Sequence, residues 1–364
     1  MDKQDELALR LEPLRQQIDE VDCAILELLD RRASLAIEVG EFKKTHGSDT
    51  DVLKPEREAK IFKSLSEKAK VFPSIAVQSV WTEIISACRG LEKKLTVAYL
   101  GPSGSFSEEA AYKLYGHYID KKPCTTFEEV FKAVESKEAD VGVVPVENST
   151  EGMVNTTQDL FLTSKLKIHS ECNVEVKHCL LHKNGQMSDA KKLYVHPQTR
   201  GQCHKWLIQN LPNIEIITAK SNSEAAMQAS ADSAALAIAS ESAAEIYGLK
   251  CIATGIQDSS SNKTRFVGIG HIAPKPSNND KTSLIFAASN EAGSVYNLLF
   301  PFAQYGLSMS RLESRPFKNG EWEYYFYVDL LGHAQEANVS QALDLLKSKA
   351  PFVKVLGSYP KASS

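Results

Sequence analysis

From Leu11 onward, apolar residues fall at positions 11, 14, 18, 21, 25, 28, 35, 39 and 42, alternately three and four apart. Such a seam predicts one continuous helix of about ten turns, too long to bury its own stripe without partner helices or a second subunit. Two further helical patterns run from Arg57 to Lys70 and from Ile75 to Glu92, with Pro55 near a helix start and Pro73 separating them. Residues 1–93 are therefore expected to form an all-α domain.

At Lys94 the period changes. The run Leu95–Leu100, the turn Gly101-Pro-Ser-Gly104 and a helical pattern from Ser107 read as strand, turn, helix. Thr126 and Glu129 have capping-box spacing and open a helix that leads into the apolar run Val141–Val146. Strand and helix signals keep alternating to about Ile272, with Ala235–Ala239 and Arg265–Gly270 as further strand-length runs, so 94–272 is expected to be α/β. The stretch Ala273–Asp280 is rich in Pro and polar turn formers and reads as a linker. Beyond it the pattern is strand 282–288, helix 292–305, strands 309–317 and 322–331, helix 337–349 and strand 352–358. That βαββαβ order predicts a small α+β, ferredoxin-like domain over 280–361.

A chain of 364 residues exceeds what one core organises, in keeping with this multidomain reading. A net charge of −4 supplies no excess cation for phosphates, so nucleic acid is not an expected partner. No apolar run approaches the roughly 20 residues of a bilayer span. The start of the chain carries Asp5, Glu6 and Glu12 and no basic segment before an apolar block, which argues against a secretory signal and for the cytoplasm. Seven cysteines without a CxxC pair fit reduced thiols, and no His/Cys cluster suggests a metal. No cofactor is expected.

The helical seam contains its own anomaly. Arg32 occupies the next heptad place after Leu28, and Lys43, eleven residues on, points to nearly the same side. Each cation can snorkel or set register, or the pair can serve an anion. The segments Leu14-Arg15-Gln-Gln-Ile-Asp-Glu-Val-Asp22, Leu28-Leu-Asp-Arg-Arg32, Glu38-Val-Gly-Glu-Phe-Lys43 and Pro55-Glu-Arg-Glu58 together resemble the all-α chorismate mutases. The resemblance implies that Arg15, Arg32 and Arg57 or Lys43 meet the substrate carboxylates, that Glu58 meets the ring hydroxyl, and that Lys43 meets the ether oxygen. It also implies an intertwined dimer in which Arg15 serves the partner's site. Three positions depart from the best-known pattern: Lys54 stands for an Asp, Cys88 for a substrate-binding Ser, and Glu92 for a Gln that donates to the ether oxygen. A carboxylate cannot donate but a carboxylic acid can, so mutase activity is expected to be highest in mild acid.

The middle region holds Gly101-Pro-Ser-Gly-Ser-Phe-Ser107, Pro145-Val-Glu-Asn-Ser149 with Gly152, His196-Pro-Gln-Thr-Arg-Gly-Gln202 and Asn262-Lys-Thr-Arg-Phe266. Singly each is a weak signal; in this order they resemble prephenate dehydratase, whose fold is two α/β lobes around a cleft. The resemblance implies that Thr264 contacts the departing hydroxyl and that Arg265 meets a substrate carboxylate. It places Glu147, as an acid if burial raises it, and Asn148 in the cleft. It implies that Ser149, Gln202, Phe266 and the turn residues Ser103, Ser105, Phe106 and Ser107 line the pocket. His196 reads as a packed histidine. In the last region Arg311-Leu-Glu-Ser-Arg-Pro316 resembles the signature of the ACT domain attached to these dehydratases. Phenylalanine binding is then implied at Glu313, Ser314, Arg315 and Pro316. The partner signature, Ala292-Gly293-Ser294-Val295, keeps the glycine a helix N-terminus needs for a carboxylate.

Together the resemblances imply a homodimer or higher oligomer that makes phenylpyruvate from chorismate by way of prephenate, under phenylalanine feedback. The same layout suits a non-catalytic amino-acid sensor dimerised by its helices. Arg32, Lys43 and Glu58 weigh against that alternative, because charges inside a seam weaken pure packing.

Overall fold

The computed structural model describes residues 3–46, 52–259, 261–316 and 324–362. Helices α1 (Lys3–Thr45), α2 (Pro55–Lys68) and α3 (Ser74–Glu92) form the first region. α1 continues through Pro13 as one helix, and α3 packs against both α1 and α2. Its seam residues Leu14, Ile18, Val21, Ile25, Leu28, Leu35, Val39 and Phe42 are each 48–65% exposed. One chain thus leaves this stripe facing water, which large apolar residues in register do not do when their packing is complete.

The second region has two lobes. The first contains β1 (Leu95–Leu100), α4 (Phe106–Tyr115), β2 (Ile119–Cys124), α5 (Phe127–Glu135), β3 (Val141–Asn148), β4 (Gly152–Met153), α6 (Asn155–Thr163) and β5 (Lys167–Glu175). The chain then crosses to β6 (Cys179–His182), β7 (Lys192–Val195), α7 (Pro197–Gln202), α8 (His204–Asn210), β8 (Glu215–Thr218), α9 (Asn222–Ser230), β9 (Ala235–Ala239), α10 (Glu241–Tyr247) and β10 (Lys250–Thr254). It returns in β11 (Lys263–Gly270). The return strand completes the first sheet, of order β2-β1-β3-β11-β5, while the second sheet runs β10-β6-β9-β7-β8. Two crossings join the lobes side by side: Val176 N–H donates to Asn262 O at 2.8 Å, and Ile256 N–H to His178 O at 3.1 Å.

The third region is β12 (Asp280–Ala288), α11 (Ser294–Gln304), β13 (Met309–Pro316), β14 (Tyr324–Leu331), α12 (Ala337–Lys349) and β15 (Phe352–Pro360). Its antiparallel sheet runs β13-β14-β12-β15. The expected strand ends at 317 and 322–323 lie outside the described residues.

The Pro-rich stretch before β12, read as a linker, is a fixed turn: the buried Asp280 carboxylate accepts from Ser277 N–H at 2.7 Å and Ser277 Oγ at 2.6 Å. The third region packs directly on the first lobe. Ile285, Tyr327, Leu356 and Tyr359 share one core with Val144, Phe161, Val267 and other residues of the first lobe. At Gly357 a Cβ would stand 2.0 Å from Ile168 O, so only glycine lets β15 approach β5 this closely. Leu53, just before α2, is likewise buried in the lobe's other core, against β1 and α4.

Two candidate active sites

The helical region gathers charge where α1, α2 and α3 face one another. Lys43 Nζ lies 3.0 Å from Glu92 Oε1, their side chains 25% and 15% exposed. Arg89 donates from NH1 to Glu58 Oε1 at 2.9 Å and from NH2 to Tyr115 O at 2.6 Å, and its own side chain is only 5% exposed. Burial raises the Glu58 carboxyl above the usual range despite the opposing charges of Arg89 and Arg32. Cys88 is buried one turn before Glu92. The chain therefore brings Arg32, Lys43, Glu58, Cys88 and Glu92 to one place. Arg57 is exposed, and Arg15 lies 3.9 Å from Glu12 on the solvent side. Glu92 does not pair with Arg89 or Lys93, since Lys93 reaches Asp140 instead.

In the two-lobed region the site grows from the end of β3 against the start of β11, where Thr264 lies opposite Asn148. The turn after β3 fixes the amide: Asn148 Oδ1 accepts from Thr150 N–H at 3.0 Å, Thr150 Oγ1 at 2.6 Å and Glu151 N–H at 3.2 Å. Its Nδ2 must then point inward, and it donates to Thr264 Oγ1 at 2.8 Å and Asn262 Oδ1 at 3.0 Å. Asn262 donates to Gln202 Oε1 at 3.3 Å, and Gln202 Nε2 donates to Glu151 at 3.0 Å. Glu151 belongs to the first lobe and Gln202 to α7 of the second, so the array spans both lobes. Beside it opens a cleft of about 460 Å³ lined by Thr150, Glu151, Gln198, Gln202, Gln257 and Asn262 among others.

Adjacent residues of a strand point to opposite faces, and here that divides the roles. Arg265 and Glu147 face each other across the same strand pair, but toward the third region. Arg265 donates from Nε to Glu171 Oε2 at 2.8 Å, from NH1 to Asp329 Oδ2 at 2.5 Å and from NH2 to Tyr359 OH at 2.9 Å. Lys281 Nζ reaches both Glu171 oxygens at 2.9 Å, and Glu147 lies 3.5 Å from Arg311 Nε. Burial alone would raise Asp329, but Arg265 and the Ser283 hydroxyl hold its carboxyl below the usual range.

The roles expected for Arg265 and Glu147 are thereby corrected. The guanidinium fork is filled by two protein carboxylates and the Tyr359 hydroxyl, and Glu147 stands on the side away from Thr264. Phe266, at 2% exposure, is a core residue rather than a pocket wall. Ser149 closes the end of the β3–β11 ladder, accepting from Lys263 N–H at 3.0 Å. Arg315 is likewise engaged, with Asp159 at 2.6 Å and Asn155 O at 2.7 Å on α6.

The turn 101–107 meets the second lobe at α10. Gly104 has φ +81°, and a Cβ there would come within 2.9 Å of Ala243 Cα. Ser240 Oγ donates to Gly104 O at 2.8 Å and Tyr247 OH to Ser103 O at 3.1 Å. Ser105 caps α4, accepting from Glu108 N–H at 3.3 Å, and Ser107 is buried. Phe106 meets the His178 ring edge-on at 5.9 Å. Two residues that sequence reasoning passed over support this wall. Glu108, buried, accepts from Gly104 N–H at 2.6 Å, Tyr99 OH at 2.9 Å and Lys121 at 3.1 Å. Burial would raise its carboxyl, but those donors outweigh it and keep the group below the usual range. Its signal was the Ser105-x-x-Glu108 capping spacing. His178, on the lobe crossing, binds Gln202 Oε1 through Nε2 at 2.8 Å, and burial lowers its imidazole toward the neutral form. His196, half-buried at the start of α7, is lowered by burial as well, with Glu151 opposing.

Known proteins share both parts. A family model described as chorismate mutase type II matches residues 14–93, and one described as prephenate dehydratase matches 97–273. The two matches together define a two-activity enzyme, an isomerase joined to a lyase. A bifunctional chorismate mutase/prephenate dehydratase of Aquifex aeolicus is 44% identical over 357 residues, 97% of this chain and 98% of its own. One from Neisseria gonorrhoeae is 43% identical over 96% of this chain and 97% of its own. A solved prephenate dehydratase from Arthrobacter aurescens, in complex with L-Phe, superposes with a TM-score of 0.68 at 33% identity, covering 74% of this chain and 90% of that one. The chain belongs to the bifunctional chorismate mutase/prephenate dehydratase family. It converts chorismate to prephenate and prephenate to phenylpyruvate. Among the described residues, no helix is long and apolar enough to cross a membrane.

Proposed function

We propose that the rearrangement occurs between α1, α2 and α3, over a mutase domain of residues 1–93, and the dehydration at Thr264 in a domain of residues 94–272. The rearrangement needs neither nucleophile nor cofactor: holding the chair-like conformer and placing donors at the breaking ether oxygen suffices. Arg32 and Lys43 receive carboxylate and ether oxygen, and Glu58 receives the ring hydroxyl. Arg15 and Arg57 complete the site in a homodimer, a reading supported by the exposed seam of α1 and by the distance of Arg15 from the other charges.

For the second reaction, the carboxylate bond electrons enter the ring as carbon dioxide leaves, and hydroxide departs from the opposite carbon. The observation that carries the assignment is the Asn148 amide on Thr264 Oγ1. A hydroxyl that already accepts one hydrogen bond can direct its own proton at the departing oxygen. Gln202, Ser103 and Ser107 shape the cleft, and the whole protein acts in the cytoplasm.

The third region, residues 280–361, is read as an ACT domain, and phenylalanine as its effector. Support comes from the βαββαβ order, from Gly293 in the left-handed region at the start of α11, and from exposed Val295, Tyr296 and Leu312 near the two signatures. Ala292, Ser294, Glu313, Ser314 and Pro316 complete that site between two copies. Arg315 on α6, just after the Asn148 turn, offers a route by which the effector reaches the dehydratase. Calorimetry should detect phenylalanine binding together with loss of dehydratase activity, a coupling of about 1–3 kcal/mol. No binding at millimolar concentration would remove this role.

Two outcomes test the catalytic assignments. Thr264→Val should lower dehydratase kcat/KM by about 10²-fold or more and spare the mutase, while Lys43→Ala should do the reverse. Equal loss of both activities in folded Thr264→Val protein would reject the site. Glu92 occupies the Lys43 ammonium that the ether oxygen needs. Glu92→Gln frees that ammonium and places an amide donor beside it, so it should keep or raise mutase kcat/KM. A fall of about tenfold or more in folded Glu92→Gln protein would contradict this reading.

A further inference from the structure

The mutase carboxylate does not stand on the helical region alone. Glu58 lies in the first turn of α2, and its partner Arg89 lies near the end of α3. Arg89 makes its second bond outside the helices, to the carbonyl of Tyr115, the last residue of α4 in the dehydratase domain. The last carbonyls of a helix lack intrahelical donors and carry the negative end of its dipole, so a guanidinium there is doubly favoured. α4 is itself held in place, because Tyr115 is fully buried and its hydroxyl meets His169 Nε2 at 2.9 Å.

We propose that Arg89 is a positioning residue for the mutase reaction, holding the Glu58 carboxylate toward substrate by bridging it to the C-terminal carbonyl of α4. Its planar fork suits the task, since two donors in fixed geometry join one carboxylate oxygen to one carbonyl. Arg89 engages Glu58 Oε1, and the other oxygen is the one that receives the ring hydroxyl. The inference rests on the role of Glu58 proposed above. It adds that the geometry of the first active site is set by the domain that houses the second.

The bridge also governs charge. Around Glu58 stand Arg89 from α3, Arg32 from α1, Glu56 from its own helix and Tyr115 from α4. Burial already pushes Glu58 upward, and Arg89 is the largest opposing influence. A group raised in this way is ionised only above its titration point. Removing Arg89 raises that point further, so activity that needs the carboxylate should climb with pH.

The test uses the full chain and follows mutase and dehydratase activity together across pH. Arg89→Met should cut mutase kcat/KM by about tenfold or more at neutral pH and introduce a profile rising with pH, with dehydratase activity retained as the sign of folding. Arg89→Lys should restore part of the rate, and it carries the same test should Arg89→Met fail to fold. In a Glu58→Gln background the Arg89→Met loss should shrink to about twofold or less, because the group it positions is gone. A profile that stays flat in both Arg89 variants, or losses that multiply fully in the double variant, would overturn the proposal. Unchanged mutase activity in Glu58→Gln alone would instead remove Glu58 from the chemistry, and the positioning role with it.

Discussion

The buried ion cluster centred on Arg265 constrains the rest of this molecule. One guanidinium, 12% exposed, meets Glu171 of its own lobe and Asp329 and Tyr359 of the third domain. Removing such charges from water is expensive, and the cost is offset only where every oxygen and every N–H finds a partner. Lys281, Ser283 and the Ala362 N–H complete the cluster around those carboxylates. The cluster permits one docking of the third domain on the first sheet, and the shared core of Val267, Ile285, Tyr327 and Tyr359 fills in around it.

Because Arg265 must face the third domain, Thr264 must face the other way, toward the Asn148 amide, and the paired strand repeats the division with Glu147 and Asn148. The groups proposed for catalysis and the interdomain ties are thus neighbours along two strands. Arg315 on α6 adds a third tie close to the same turn. At the other end of the lobe Arg89 does something comparable for the mutase, capping α4 while holding Glu58. The three regions are one mechanical unit, although their chemistries are separate.

Much of the fold was legible because periodicity reports local geometry. The heptad seam, the change at Lys94 and the βαββαβ order each reappear within a few residues, as do Thr126 capping α5 and Lys43 beside Glu92. Contacts across long stretches of chain were not legible. The motif Thr264-Arg265-Phe266 reads as one catalytic cluster, yet the pleat sends its members to the Asn148 array, the domain interface and the core. The Pro-rich stretch before β12 carried every sign of a linker, but Asp280 ties it into a buried turn that no local pattern marks. No local pattern singles out Arg89, because its partners lie 31 and 26 residues away.

The division of labour on β11 is tested most directly by Arg265→Lys, with the Michaelis constant for prephenate and the melting temperature measured on the same protein. Lysine keeps a charge for a substrate carboxylate but cannot span three partners. The melting temperature should fall by roughly 5 °C or more, while KM stays within about threefold of wild type. An unchanged melting temperature with KM raised about tenfold would show that Arg265 binds substrate and contradict the account.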